Sequence, residues 1–377
     1  MRRSRWSEAA AFAVALLAAA PARAVPRFAA RYGAPCSLCH VNPTGGGMRN
    51  AFGRNVFESR ELGLLPFSPF DPHVGEKLYL GGDFRLAVLH QPDRSETPPP
   101  AQTLLVTTPT ETTVFPMQAD LYVVGTPAPS VTFYSDVGAG GSYEIFALLQ
   151  AAGLYLKGGM FTPPYGTKMP NHTASVRQPI GFDPRGKDAG VEVGATLGPF
   201  TLQSAILNGE QGGSPIDRVE GIAVCTRGEL RLRLGPARGV VGGSYYRAAG
   251  EIGAPTADAA PEKTTEWRAG PFLWASLGRF AYVGEAAFRR LPERGTFVAY
   301  HELTMILVRG RDVGGTYESL DRDVDGAPMC WGGCGDGEIC VDMSGSCGCV
   351  RVFEHTATNY GRTQSGGWSN GDQLFAN

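Results

Sequence analysis

From about residue 76 onward the chain repeats every two residues, and this period limits its fold more than any other feature. Leu78, Leu80, Gly82, Phe84, Leu86 and Val88 alternate with Lys77, Tyr79, Asp83 and Arg85. Ala189, Val191, Val193, Ala195 and Leu197 alternate with Asp188, Glu192 and Thr196. Leu230, Leu232 and Leu234 alternate with Glu229, Arg231 and Arg233, and Phe280, Tyr282, Ala286 and Phe288 with Glu285 and Arg289. Successive side chains of a strand point to opposite faces, so each segment reads as a strand with one apolar and one charged face. Gly (51) and Pro (28) make up about a fifth of the 377 residues, which supplies turns rather than helix.

Alternation alone also describes a soluble sheet; the connections separate the two cases. Short turns fall at 127–130, 151–153, 198–199, 235–239, 278–279 and 310–311. The links between them run longer on the whole, at about 91–113, 162–186, 208–217, 247–263 and 321–349, with compact members at 138–141 and 291–295. Short turns on one side and longer loops on the other are the pattern of an all-β transmembrane antiparallel barrel. Thirteen or 14 strands can be counted, and closure asks for an even number, so 14–16 are expected over residues 76–377. A barrel this wide should leave a water-filled lumen. Its expected lining is mixed: Asp83, Asp120, Asp136, Asp188, Glu192, Glu229, Glu266, Glu285 and Glu302 against Lys77, Arg85, Lys157, Arg231, Arg233, Arg268 and Arg289. The 162–187 link holds Lys168, His172, Arg177, Arg185 and Lys187 against Asp183 alone. Folded inward, it would form a basic constriction favouring anions; folded outward, a basic surface loop. Sequence favours neither.

The first 24 residues read as a removable export signal. Arg2, Arg3 and Arg5 precede an apolar run from Ala9 to Ala20, and Ala22-Arg23-Ala24 supplies the cleavage site. The run is too short to cross a bilayer, and no stretch after Ala24 approaches 18 apolar residues. Export places all eight cysteines in an oxidising compartment.

Residues 25–75 form a separate short, mainly helical or irregular segment. Cys36-Ser37-Leu38-Cys39-His40 is the C-x-x-C-H pattern of covalent haem c, with the thiols bonded to the porphyrin edge and His40 the proximal iron ligand. A dithiol redox pair would require a thioredoxin-like surround, which is missing; zinc would require a nearby second ligand pair, and the next cysteine is Cys225. Candidates for the sixth iron position are Met48, His73 and His90, or an open site. Val41-Asn42-Pro43-Thr44-Gly45-Gly46-Gly47 reads as a tight turn. Met48, Phe52 and Val56 then share a helical face that could cover the haem edge. About 35 residues between His40 and the first strand are too few for a complete cytochrome c fold, so the barrel is expected to complete the pocket.

Two resemblances follow. The run from Arg31-Tyr32-Gly33 through Cys36–His40 and the glycine turn to Arg49-Asn50 resembles the haem-bearing N-terminus of certain Gram-negative outer-membrane proteins, in which it precedes a barrel. Gly159–Gly166, Gly181–Pro184 and Lys187–Gly194 resemble phosphate-selective porins of the O/P type over about residues 115–320. The arginine ladder of that family cannot be placed here, so phosphate specificity does not carry over.

Cys330, Cys334, Cys340, Cys347 and Cys349 lie in a Gly-rich external link read as disulfide-bonded, with Cys225 a candidate partner for the odd thiol. The chain ends Leu374-Phe375-Ala376-Asn377, without the terminal aromatic usual in such barrels. A net charge of −2 gives no reason to expect nucleic-acid binding. Three functions fit the parts: electron transfer with a periplasmic redox carrier or cytochrome, passage of small solutes or anions with a structural or sensory haem, or haem enzymology. The third lacks an acid/base cluster beside the motif. Outer-membrane lipid is the expected surround, with the haem segment on the periplasmic side.

Overall fold

The computed structural model describes residues 26–58, 61, 72–91, 94–96, 106–108, 111–138, 143–169, 176–177, 180–182, 186–209, 221–252, 262–291, 294–308, 311–324, 338–342, 347–351, 362–364 and 373–375. The proposed signal peptide, His172 and Arg185 fall outside them.

The period-two segments form one 14-stranded antiparallel sheet. Its strands are β1 (His73–Val74), β2 (Leu78–Gln91), β5 (Glu111–Ala128), β6 (Val131–Gly138), β7 (Tyr143–Ala151), β8 (Leu154–Phe161), β9 (Asp188–Leu197), β10 (Phe200–Leu207), β11 (Gly221–Leu234), β12 (Ala237–Ile252), β13 (Glu262–Leu277), β14 (Phe280–Arg290), β15 (Arg294–Val308) and β16 (Arg311–Val324). Each pairs with its neighbour in the series. The link after β2 carries a hairpin of its own, β3 (Arg94–Glu96) with β4 (Val106–Thr108). Beyond β16, β17 (Glu338–Asp342) pairs with β18 (Cys347–Arg351), placing Cys340 opposite Cys349 in register. The final hairpin is β19 (Arg362–Gln364) and β20 (Gln373–Phe375), and β20 lies against β2. The described short turns fall within the segments that the sequence assigns to them. Gly198, Gly235 and Gly278 have φ of 57°, 59° and 57°, the left-handed conformation that tight hairpin turns require.

The faces are inverted relative to a soluble protein. Phe84, Leu121, Phe133, Ile145, Leu156, Val191, Leu202, Val224, Val241, Leu273, Phe288 and Leu303 are exposed, one from β2 and one from each strand from β5 to β15. Buried on the opposite face are Glu144, Lys157, Glu192, Gln203, Arg227, Glu229, Glu266, Arg268 and Glu285. A continuous apolar outer face is costly in water and favourable in lipid, so this is the lipid surface of a transmembrane barrel. Leu202→Arg should therefore destabilise the folded protein in liposomes by up to roughly 4 kcal/mol, most if the site lies at the bilayer midplane. Urea titration measures this, and an unchanged midpoint would mean the face does not meet lipid.

The lumen is not filled by water alone, because two chain segments pack into it. Helix α1 (Pro26–Tyr32) lies against β12, β13 and β14, while Met48 of the same segment packs at Gly81 of β2 and Tyr122 of β5. Strands far apart in sheet order can meet one short segment only if the sheet curls around it. The link after β8 is the second filling element. Gly166 N–H donates to Ser244 Oγ (2.8 Å) and Thr167 N–H to Glu285 (2.7 Å), while Trp274 donates to Thr167 Oγ1 (2.9 Å). The described residues of this link, Thr162–Met169 among them, therefore lie inside rather than on the surface. Lys77 and Arg233, expected on the lumen wall, lie exposed at strand ends.

Cys225 is not available to the external cysteine cluster. It faces inward from β11, fully buried, and its thiol donates to the Pro164 carbonyl.

Candidate haem-attachment site

The segment 26–58 is built from local rules. Pro26 opens α1, where its missing N–H costs nothing. Gly33, at φ 60°, ends it: Gly33 N–H donates to the Ala30 carbonyl and Ala34 N–H to that of Ala29, a Schellman closure. The remaining C-terminal carbonyls meet a cation from the wall, since Arg238 donates to Arg31 O (2.9 Å) and Tyr32 O (3.2 Å). Ser276 Oγ reaches Ala30 O at 3.3 Å. Arg31 and the Tyr32 hydroxyl both engage Glu61, at 2.8 and 2.7 Å.

Cys36–Leu38 form one 3-10 turn, closed by Cys39 N–H and His40 N–H donating to the Cys36 carbonyl. The chain then reverses. Asn42 accepts from Thr44 N–H and Oγ1, and Gly45, Gly46 and Gly47 all take positive φ, so that His40 pairs across the reversal with Arg49. Asn50 joins this ribbon to the next helical turn. Its Oδ1 accepts from Gly53 N–H and its Nδ2 donates to the carbonyls of Ser37 and His40. Gly53 is required, because a Cβ there would run into the Cys39 carbonyl. The following turn, Gly53–Glu58, is a π-helix. Its buried contact is Phe57, edge-on to Phe28 at 4.9 Å, whereas Phe52 and Val56, the expected face, stay half-buried.

Cys36 and Cys39 are both free thiols. Burial, reinforced by Glu229, pushes Cys36 up to about 11, and burial also raises Cys39. His40 is held down to about 4 by burial and by Arg49, so its imidazole is neutral at pH 7, and Nδ1 is buried without a hydrogen-bond partner. Among the described residues no three His, Cys, Asp or Glu side chains converge as a metal-ligand set. A structural zinc site would need four converging ligands, which the described residues do not supply here, whereas two thiols and one neutral imidazole are the donors that haem c would take. The neutral imidazole and the two free thiols on one turn fit haem c.

Beside Cys36 lies a cavity of about 300 Å³, between Pro35, Ser37 and Pro43 of the segment and Tyr155, Gln203, Arg227 and Glu229 of the wall. It sits at the short-turn end, since the 151–153 turn also lines it.

The other expected ligands are placed as follows. Val41 N–H bonds to the Met48 carbonyl, one step from the His40–Arg49 pair. Met48 therefore projects from the face of the ribbon opposite His40, into the wall. His73 is exposed at the start of β1, its ring 4.6 Å from that of Tyr79. The side chain of His90 is outside the described residues.

The described part of the link brings Lys168, Arg177 and Lys187 into the interior, and a carboxylate faces Lys168. Lys168 lies 3.8 Å from Glu144, and burial lowers its pKa against that carboxylate. Arg177 is buried and donates to the Tyr165 carbonyl at 3.3 Å, and Lys187 is buried. Two wall residues absent from the expected lining matter most. Glu144 accepts from Asn42 of the segment (3.2 Å) and from Thr162 N–H of the inward link (2.8 Å), so one carboxylate holds both fillings. Arg227 donates to the Gly166 carbonyl, to Gln203 and to Glu229, and lies 4.5 Å over the Phe272 ring. Its phase, two residues before Glu229, would have revealed it.

No protein-family model matches the sequence, and no curated protein matches it significantly. Among solved structures, the chain is similar to the outer-membrane channel DcaP of Acinetobacter baumannii, at 11% identity and a TM-score of 0.44, covering 66% of this chain and 80% of that one. It is similar to OprB of Pseudomonas putida at 10% identity and a TM-score of 0.44, with coverages of 65% and 76%. A third similarity is to an anion-selective porin from Comamonas acidovorans, at 9% identity and a TM-score of 0.36, with coverages of 65% and 89%.

Proposed function

We propose that the chain is a porin-like outer-membrane barrel that carries one covalent haem c on Cys36, Cys39 and His40 inside its lumen, and exchanges electrons there with a periplasmic redox carrier. The observation that carries this reading is the position of the C-x-x-C-H segment. It is bonded to opposite walls through Arg238, Ser276 and Glu144 rather than suspended below the barrel. When bound, the haem supplies one-electron chemistry at iron. The chain's own residues fix the rest. His40 is kept neutral, Asn50 sets the ribbon's reach, and Phe28 and Phe57 pack beside Cys39. The cavity at the short-turn end leaves the Cys36 side accessible to a small partner surface. Met48 acts as a packing residue, which leaves His73 or an open position for the sixth ligand.

A second reading, passage of small solutes or anions with a structural or sensory haem, draws support from the polar lining of that cavity, which includes Arg227, Glu229 and Gln203. The two readings separate on one preparation. Wild-type protein denatured in gels should keep its haem stain, and Cys36→Ala should lose most of it. Dithionite-reduced protein, freed of excess dithionite, should pass one electron per haem to an added ferric soluble cytochrome, and in planar bilayers the same preparation should carry little current. Colourless wild-type protein would overturn both readings; a coloured protein with free conductance and no electron exchange would leave the second.

A further inference from the structure

The cysteines that follow β16 have no part in the function proposed above, and the strand register sets two of them directly opposite one another. β16 runs away from the 310–311 turn, so the chain after it leaves the barrel at the end opposite the short turns. There β17 and β18 pair antiparallel, with Cys340 opposite Cys349. Directly opposite residues of such a pair have Cα atoms about 4.5–5.5 Å apart, inside the span of about 4.4–6.8 Å that a disulfide bridges.

More than the cysteines selects this register. One face pairs Glu338 with Arg351, and the other pairs Ile339 with Val350. Opposite charges and β-branched residues are favourable cross-strand partners. Sliding β18 by two residues would set Cys340 against Cys347, but Glu338 would lose Arg351 and Ile339 would face Gly348. In the observed register Cys347 faces Asp342 and lies diagonal to Cys340, with Cα atoms about 7–8 Å apart, too far for a bridge. Cys225 is excluded by its burial in the lumen, and Cys330 and Cys334 lie outside the described residues. The hairpin makes no extensive contact with any other described element. An isolated two-stranded hairpin is marginal in water, and a covalent link between its strands supplies what packing does not.

We propose that Cys340 and Cys349 form a disulfide that staples the β17–β18 hairpin at the long-loop end of the barrel. An outer-membrane protein matures in an oxidising compartment, and the oxidant is the disulfide of a thiol–disulfide oxidoreductase. The thiolate of one cysteine attacks that disulfide and expels one oxidant thiolate; the second cysteine attacks the mixed disulfide and expels the other. Two electrons pass to the oxidant, and the protons released by Cys340 and Cys349 end on its two thiols. No step involves Cys36 or Cys39, so the haem reading can fail without affecting this one.

Peptide mapping of the full-length protein, taken from the monomer band of a non-reducing gel, tests the link. Free thiols are alkylated in denaturant without reductant. Cleavage before aspartate and after arginine then separates residues 325–335, 336–341 and 342–351, and the middle peptide holds Cys340 alone. That peptide should be joined to 342–351, with fragment ions placing the bond at Cys349 and dithiothreitol releasing it. Cys347→Ser should keep the joined pair at wild-type yield, and Cys349→Ser should lower it at least about tenfold. Cys340 alkylated in most molecules, bonded to Cys347, or bonded to residues 325–335 would overturn the proposal. An undiminished joined pair in Cys349→Ser would do the same.

Discussion

Removing residues 26–58 from the exported chain should raise single-channel conductance in planar bilayers severalfold. In the intact protein, α1 covers the inner faces of β12–β14, and the ribbon after it reaches β2, β6, β7 and β8. Ions must pass whatever space these leave beside the inward link, and conductance falls with the open cross-section. Glu144 sharpens the expectation, since its carboxylate ties Asn42 of the segment and Thr162 of the link to β7. Glu144→Ala should give a smaller rise with more frequent open–closed transitions, because it frees one anchor of each filling and leaves the Arg238, Ser276 and Gly166 bonds intact. Equal conductance in the intact and truncated chains would mean that the segment lies outside the ion path.

The second large effect concerns stability. Lys157 and Glu192 are both 0% exposed and paired at 2.7 Å on adjacent strands, with Lys157 Nζ 3.5 Å from Asn42 Oδ1 and 4.2 Å from the Phe161 ring centroid. Removing one member of a buried pair strands the other charge, at about 3–5 kcal/mol. Lys157→Met should cost near the lower end, because Tyr155 still donates to Glu192. The double change Lys157→Met, Glu192→Leu should recover most of the loss, since two apolar groups can replace a buried pair with little penalty. Urea unfolding of the four proteins measures the coupling. Additive losses would show that the pair is not the unit that matters.

A period of two carries information about faces alone. It assigns each residue to a face, so Lys157, Glu192, Glu229, Glu266 and Glu285 were legible as lumen residues and Phe84, Val191 and Phe288 as lipid residues. It cannot say what lies against a face. A charged inner wall is compatible with water or with a protein filling, and only the partners of Glu144, Arg238 and Trp274 distinguish the two. The 162–187 link was undecided for the same reason: its inward course depends on bonds to Ser244 and Glu285, about 80 and 120 residues away, which no local pattern encodes. In the N-terminal segment the glycine turn and the C-x-x-C-H spacing were readable because their constraints are local. The expected face through Phe52 and Val56 was displaced because the turn is π-wound and buries Phe57 instead.

The position of the N-terminal segment can be tested most directly by paired cysteines at Ala30 and Ser276, which meet at 3.3 Å between the serine hydroxyl and the alanine carbonyl. In outer membranes treated with a short thiol-to-thiol crosslinker, Ala30→Cys with Ser276→Cys should give a mobility shift that needs both substitutions. If no crosslink forms, and a bulky thiol reagent instead labels Cys at position 276 freely from the aqueous side, the segment does not occupy the barrel interior.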